Sequence, residues 1–301
     1  MRVAAVDIGT NTVRLLIAEV VGSGSAATLG ELERHEVITK LGEGLDTSGR
    51  LGDAPMGRAL GGLRYFAGLI DGTDVVAKAG VATAATRSAA NGAEFADSVA
   101  DVLGFRPLVI DGVEEARLTF NGATRALEAK GSFCVIDVGG GSTEFVVGEH
   151  HPDYAMSVDI GSVRLTERVT ALGLRNPEET RDYVDGLFDH VVPPYQASHV
   201  LGSGGTFTTM AAVHFGIETS ELEVRTDVVV SLAALRETAD RLQGMSQVEI
   251  AALPGVAPGR AGVLQAGSIC AERAVAHIGV TQVGITVSDI LDGLALELAL
   301  A

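Results

Sequence analysis

The chain has 301 residues, 47% of them hydrophobic and 20% charged, and carries a formal net charge of −17. This composition excludes a disordered polypeptide, and the negative field disfavours nucleic acid and anionic membranes as partners, although a local pocket of arginine, backbone N–H and metal still accommodates a phosphorylated substrate. No apolar run reaches the ~20 residues of a membrane span, and the N-terminus runs straight into a strand, so the expectation is a cytoplasmic protein of two domains.

Apolar runs predict strands at Val3 to Asp7, Val13 to Val21 and Ala27 to Thr39. A helix over Met56 to Ile70 follows, then a strand through Val75 to Ala82 and a helix from Phe95 to Leu103, with Asn91 ahead of it as candidate N-cap. A strand Pro107 to Ile110 leads to a helix from Glu114 to Glu128. The second half has strands around Cys134, Val146 and Val158, a helix from Glu178 to Val191 stopped by Pro193 and Pro194, and a short strand at Val200 and Leu201. Helices near Thr208 to Phe215, Leu232 to Leu242, Gln247 to Leu253 and Ala261 to Ile278 precede a strand at Val283 to Val287 and a terminal helix from Ile290 to Leu300. Strands followed by helices in both halves imply two α/β domains, each with a mixed sheet. Cys134 and Cys270 lie in buried-looking segments without a metal-ligand partner at useful spacing, the seven His form no zinc pattern, and free thiols are expected over a disulfide.

One design is written twice, at an offset of 130 residues: Asp7 matches Asp137, Gly9 matches Gly139 and Glu19 matches Glu149. In each copy an apolar strand ends in Asp, a turn of Gly and hydroxyl residues follows, and a second apolar strand returns, the pattern of a hairpin whose tip exposes backbone N–H groups. Gly9, Thr10, Asn11 and Thr12 in one tip, and Gly139, Gly140, Gly141 and Ser142 in the other, are candidate phosphate ligands. Asp7 and Asp137 are candidate ligands for a divalent cation held against phosphate oxygens. Either copy alone also reads as an ordinary tight glycine turn; the duplication favours a paired phosphate clamp.

Seven blocks in order, Asp7 to Leu16, Val81 to Phe95, Ile110 to Gly122, Ile136 to Phe145, Leu201 to Ala212, Pro258 to Ala261 and Val287 to Gly293, resemble the exopolyphosphatase and guanosine pentaphosphate phosphohydrolase (Ppx/GppA) family. That family lies within the actin, heat-shock protein and sugar-kinase superfold. The resemblance implies two actin-like (ribonuclease H-like) α/β domains with mixed sheets flanked by helices and an interdomain active-site cleft. The first would span 1–118, completed by the C-terminal helix 289–301, and the second 119–288. In the family a Glu near the start of the Ile110 to Gly122 block polarises the attacking water. Glu114 and Glu115 both qualify, and the 22 residues from Glu115 to Asp137 fit the family spacing better. Two acids in a first helical turn also complement the helix dipole.

Glu144 occupies the position equivalent to Arg14, and the resemblance gives it a role in supporting metal or water; Arg14 can pair with a phosphate or with an acid opposite. Arg87 matches a phosphate-contacting Arg, and Gly204, Gly205 and Thr206 form a third phosphate-facing loop at a helix N-terminus. Lys40, Arg164 and Arg260 are further cations with surface or packing roles equally open, and Asp289 reads as an N-cap and not as catalytic.

The implied activity is release of terminal orthophosphate from inorganic polyphosphate by water attack, with Mg²⁺ or Mn²⁺ as cofactor. Guanosine pentaphosphate (pppGpp) is the alternative substrate. Longer relatives carry extra helical domains that hold long chains and contribute to dimers, so short chains are the expected substrate here and a homodimer stays open. The rivals are a kinase of the same superfold and a non-hydrolysing sensor of polyphosphate or alarmone.

Overall fold

The computed structural model describes residues 1–22, 27–125, 127, 129–223 and 228–299. The chain divides into two compact units, Met1–Glu128 with Ser288–Ala301, and Ala129–Val287. The expected boundary at 118/119 falls inside a helix that stays whole in the first unit.

In the first unit β1 (Arg2–Ile8) lies at the centre of a five-stranded sheet. Its run Val-Ala-Ala-Val-Asp-Ile is buried throughout, as a strand covered by helices on both faces must be. β2 (Thr12–Val21) and β3 (Thr28–Ile38) extend the sheet antiparallel on one side. The edge strand β3 carries Glu31, Glu33, Arg34 and Glu36, charges that discourage pairing with another chain. After α1 (Leu45–Ser48) and α2 (Asp53–Asp71), β4 (Ala77–Ala82) pairs parallel with β1. α3 (Ala84–Ser88) and α4 (Gly92–Leu103) lead to β5 (Leu108–Val109), parallel to β4, and α5 (Gly112–Arg125). The sheet order is β3-β2-β1-β4-β5.

The period-2 alternation of the strands feeds two cores. Val6, Ile8, Leu15 and Ile17 pack with Leu63, Phe66, Phe95 and Val99 on one face; Val3, Ala5, Leu16 and Ala18 pack with Leu118, Leu291 and Leu294 on the other. The second face depends on close approach of α5 to the C-terminal helix Ile290–Leu298. A Cβ on Gly122 would overlap the carbonyl oxygen of Asp289, and one on Gly293 the carbonyl oxygen of Leu118.

The second unit repeats the theme. β6 (Phe133–Val138), β7 (Thr143–Gly148) and β8 (Pro152–Val158) are antiparallel, and α6 (Ser162–Leu172) and α7 (Pro177–Phe188) follow. β9 (His199–Ser203) pairs parallel with β6 and runs directly into α8 (Gly204–Phe215). α9 (Thr219–Glu223), β10 (Val229–Ser231), α10 (Leu232–Gln243), α11 (Gln247–Ala251), a 3-10 turn at Pro258–Arg260 and α12 (Ala261–Ile278) precede β11 (Gln282–Ile285) and α13 (Ile290–Leu298). The order β10-β11-β9-β6-β7-β8 contains the first unit's pattern, with β10 added antiparallel at the edge. Its core gathers Ile136, Val138, Phe145, Phe188, Phe207 and Met210 against α12.

Several elements depart from the expected ones: the short helices α1, α3 and α9 and the strand β10 have no expected counterpart. α6 was not expected, because Val163, Thr166, Val169 and Thr170 give it low helix propensity; burial of its first turn decides the matter. Asn91 stands at the N-cap of α4 but does not cap it: its side chain binds both the N–H and the carbonyl of Leu51 (2.8 and 3.0 Å). Gly204, Gly205 and Thr206 form the first turn of α8, not a loop before it. β11 stops at Ile285, short of the expected Val287. The expected helix ends at Glu128 and Leu300 lie outside the described residues. Both cysteines are free and buried, and no helix among the described residues is long and apolar enough to cross a membrane.

The packing of α5 on α13 yields a stability test. Gly122→Ala should lower the urea midpoint by the equivalent of about 1–3 kcal/mol, the cost of overpacking a close contact. Gly186→Ala, at an exposed position of α7 with nothing near the added methyl, should raise it by about 0.5–1 kcal/mol.

Candidate functional site

β1, β4 and β5 run parallel, so their C-terminal ends lie along one edge of the first sheet, where the expected ligands of this unit gather. Asp7 is next to last in β1, the tip Gly9 to Asn11 follows it, and Thr83, which opens the segment carrying Arg87, donates its N–H to the Ile8 carbonyl (3.1 Å). Arg87, near the end of α3, donates from Nη1 to the carbonyl of Ile110 (2.8 Å) and to Oε2 of Glu115 (3.0 Å). Glu115 is in the first turn of α5, and the chain between β5 and α5 is thus tied to Arg87. Glu114, its neighbour, is turned elsewhere: both its oxygens accept from Arg117, which also pairs with Glu297 and holds the Glu114 carboxyl below its ordinary range.

The two hairpin tips share a turn and a fate for their carbonyls. Gly9 N–H donates to Thr12 O (2.9 Å), and Gly139 N–H to Ser142 O (3.0 Å). In the first tip the Thr10 carbonyl accepts from Gly42, and the Asn11 carbonyl from Thr39 and Lys40. In the second, Gly139 O accepts from Ser162, and Gly140 O from Val163 and Arg164, so the tip receives the N-terminus of α6. A Cβ on Gly161 would overlap this part of the tip. In a trans peptide the carbonyl and the following N–H point in opposite directions. With the carbonyls committed to one side, the N–H groups of Asn11 and Thr12, and of Gly140 and Gly141, aim to the other, the arrangement an anion needs. Lys40 is the one described non-glycine residue at positive φ (+51°), held there by the bond to Asn11.

A buried charge network anchors the first tip. Across the β1–β2 register Asp7 faces Arg14, and across β2–β3 Arg14 faces Glu36. Arg14 donates from Nε (3.0 Å) and Nη2 (2.6 Å) to the same oxygen, Oδ2 of Asp7, and from Nη1 to Asp289. Asp289 caps α13 by accepting from Leu291 N–H (2.9 Å), and with Asp292 it also meets Arg34 of β3. Burial raises the Asp7 carboxyl above its ordinary range against the pull of Arg14. Burial also works against Asp289, but Arg14 and Arg34 outweigh it and hold that carboxyl below its ordinary value. Asp289, Asp292 and Arg34 are the participants that sequence reasoning missed; the available signal was the capping pattern, which accounts for the backbone partners of Asp289 and not for Arg14 or Arg34.

In the second unit the same register sets Asp137 opposite Glu144. Glu144 is 1% exposed and accepts from Ser157 Oγ (2.7 Å). Gly204, at φ +85°, leaves room for Asp137 Oδ1, and the Arg260 guanidinium lies over Gly205, where any Cβ would collide with it. Thr206 spends its hydroxyl proton on Val138 O (3.0 Å), so only its backbone N–H is left for the expected ligand role. Arg164 pairs with Asp159 (2.8 Å).

Several buried oxygens in the first unit have no partner: Asp7 Oδ1, Asn11 Oδ1, Thr39 Oγ1 and Thr86 Oγ1, besides Thr119 Oγ1 in α5. An orphaned carboxylate oxygen suits a cation. Among the described residues no group of three or more metal-ligating side chains gathers. That Asp7 oxygen fits a hard divalent cation which takes one or two protein carboxylates and would complete its shell with water and substrate phosphates.

Two mixed α/β units, each opening on a glycine-tipped antiparallel hairpin, define the actin-like fold. The chain belongs to the Ppx/GppA phosphatase family, whose profile it matches over residues 16–298. It is 37% identical to exopolyphosphatase 2 of Mycobacterium tuberculosis over 99% of this chain and 98% of that protein. An exopolyphosphatase-like protein of known structure superposes with a TM-score of 0.90 at 31% identity, over 98% of this chain and 97% of that one. The Ppx/GppA enzyme of Aquifex aeolicus does so with a TM-score of 0.80 at 28% identity, over 99% of both chains.

Replacing Arg14 by Met leaves buried Asp7 without its cation and Asp289 with Arg34 alone, and should cost about 3–5 kcal/mol in urea denaturation near pH 8. Without Arg14 the burial that already raises the Asp7 carboxyl loses its main opponent, and the folded value moves further above the unfolded one. The penalty is complete above that folded value and fades toward the unfolded one, so the deficit relative to wild type should narrow as pH falls from 8 toward 5. A deficit independent of pH would assign the loss to packing.

Proposed function

We infer that this protein is a phosphoanhydride hydrolase that releases terminal orthophosphate from inorganic polyphosphate by direct attack of water. The observation that carries the reading is the Arg87–Glu115 pair at the C-terminal edge of the first sheet. A carboxylate 13% exposed, in the first turn of a helix and paired with Nη1 of Arg87, is placed to serve as a base. A phosphate arriving at Arg87 competes for that nitrogen and frees Glu115 Oε2 to accept a proton from water. In the first unit the hairpin-tip amides, and in the second the tip amides and the start of α8, offer donors to phosphate oxygens at little cost in reorganisation, because the tip carbonyls are already fixed. Asp7 in the first unit, and Asp137 and Glu144 in the second, are candidate ligands for a hard divalent cation, which when bound would neutralise phosphate charge. The relatives named exopolyphosphatase support polyphosphate over pppGpp as substrate.

Orthophosphate release should be measured with Mg²⁺ on tripolyphosphate, long-chain polyphosphate and pppGpp. Wild type should release it from polyphosphate, Glu115→Gln should lower kcat by about 10²–10⁴ with little change in binding, and Glu114→Gln should stay near wild type. Release from pppGpp alone would move the assignment to alarmone hydrolysis. Binding without release from any of the three would leave a sensor.

A further inference from the structure

The bond pattern at Arg14 is unusual for an arginine beside a carboxylate. A guanidinium ordinarily meets a carboxylate fork to fork, one nitrogen to each oxygen. Here Nε and Nη2 both converge on Asp7 Oδ2, Nη1 is drawn to Asp289, and Oδ1 is buried without a partner. Asp289 is placed to cause this. It lies 275 residues from Arg14 in the chain, is 5% exposed, and is fixed by its own cap bond to Leu291 and by Arg34.

We propose that Asp289 is a positioning residue: by holding Nη1 of Arg14 it keeps the guanidinium off Oδ1 of Asp7, and so preserves one open carboxylate oxygen beside the phosphate-binding tip. Without that pull the fork closes onto both oxygens and the open one is lost. The inference rests on the hydrolase reading for its effect on turnover, but its structural half stands apart from it. It also gives α13 a second task, because the residue that starts the helix sets the state of a β1 carboxylate.

Asp289→Asn separates the two tasks, since Asn is as good an N-cap as Asp but carries no charge to hold Arg14. The melting temperature should stay within a few degrees of wild type, kcat on tripolyphosphate should fall at least tenfold, and KM should move less than threefold. Asp292→Asn, which removes the charge of a partner of Arg34 but leaves Nη1 of Arg14 held, should keep wild-type kcat. If Asp289→Asn does not fold, Asp289→Ser keeps a capping oxygen and carries the same expectation. A crystal structure of the folded variant reads the geometry directly: Arg14 should bridge both oxygens of Asp7. Wild-type kcat in a folded variant, or Oδ1 still unbridged there, overturns the proposal. Should wild type itself release no orthophosphate, the hydrolase reading fails and the crystal structure alone decides the role of Asp289.

Discussion

The first unit is organised around one largely buried cation. Arg14 stands in the middle of the sheet with Asp7 on one neighbouring strand, Glu36 on the other and the N-cap of α13 against it. Removing a guanidinium from water is expensive, and only ligands supplied by separate parts of the fold make the position tenable. Burial presses against the charge, while Asp289 and Asp7 hold it in place. The C-terminal helix is therefore bound to the N-terminal hairpin by charge at its N-cap, and to α5 by glycine-mediated contact, where Gly122 and Gly293 let the α5 and α13 backbones touch. The same cation leaves Asp7 with one oxygen satisfied and one not, so a structural element and a candidate ligand share a single ion pair.

The second organising constraint is the fate of the tip carbonyls. In both hairpins they are consumed by a later segment, Thr39 to Gly42 in one unit and the start of α6 in the other. Different structures solve the same problem, since a turn that binds anions must commit its carbonyls elsewhere or present mixed dipoles to the ligand. The duplication thus extends past the residues at matching positions to how the backbone is oriented. It breaks down at one register position, where Arg14 faces Asp7 in the first unit and Glu144 faces Asp137 in the second. The first unit carries its own counter-cation at that place; the second sets two acids opposite each other, with Ser157 donating to Glu144.

Much of the sheet architecture was legible because its strands are apolar runs bounded by glycine, and the paired tips because they repeat. The helix α6 was not, since β-branched residues at Val163, Val169 and Thr170 weigh against it and only its buried first turn and the tip carbonyls it serves favour it. Nor was the second role of Asp289, because a capping pattern is complete in itself and nothing local indicates an arginine 275 residues away. Glu114 and Glu115 were indistinguishable by type; their surroundings separate them, with Arg117 engaging one and Arg87 the other. Thr206 shows the converse, a residue of the right type in the right block whose hydroxyl is spent on the Val138 carbonyl.

The account turns on the tips as anion sites, and amide resonances of the isotopically labelled protein test this without reference to catalysis. Titration of the Glu115→Gln variant with tripolyphosphate in the presence of Mg²⁺ should shift the Asn11, Thr12, Gly140 and Gly141 N–H signals saturably. Saturable binding that leaves those four amides unmoved would contradict it.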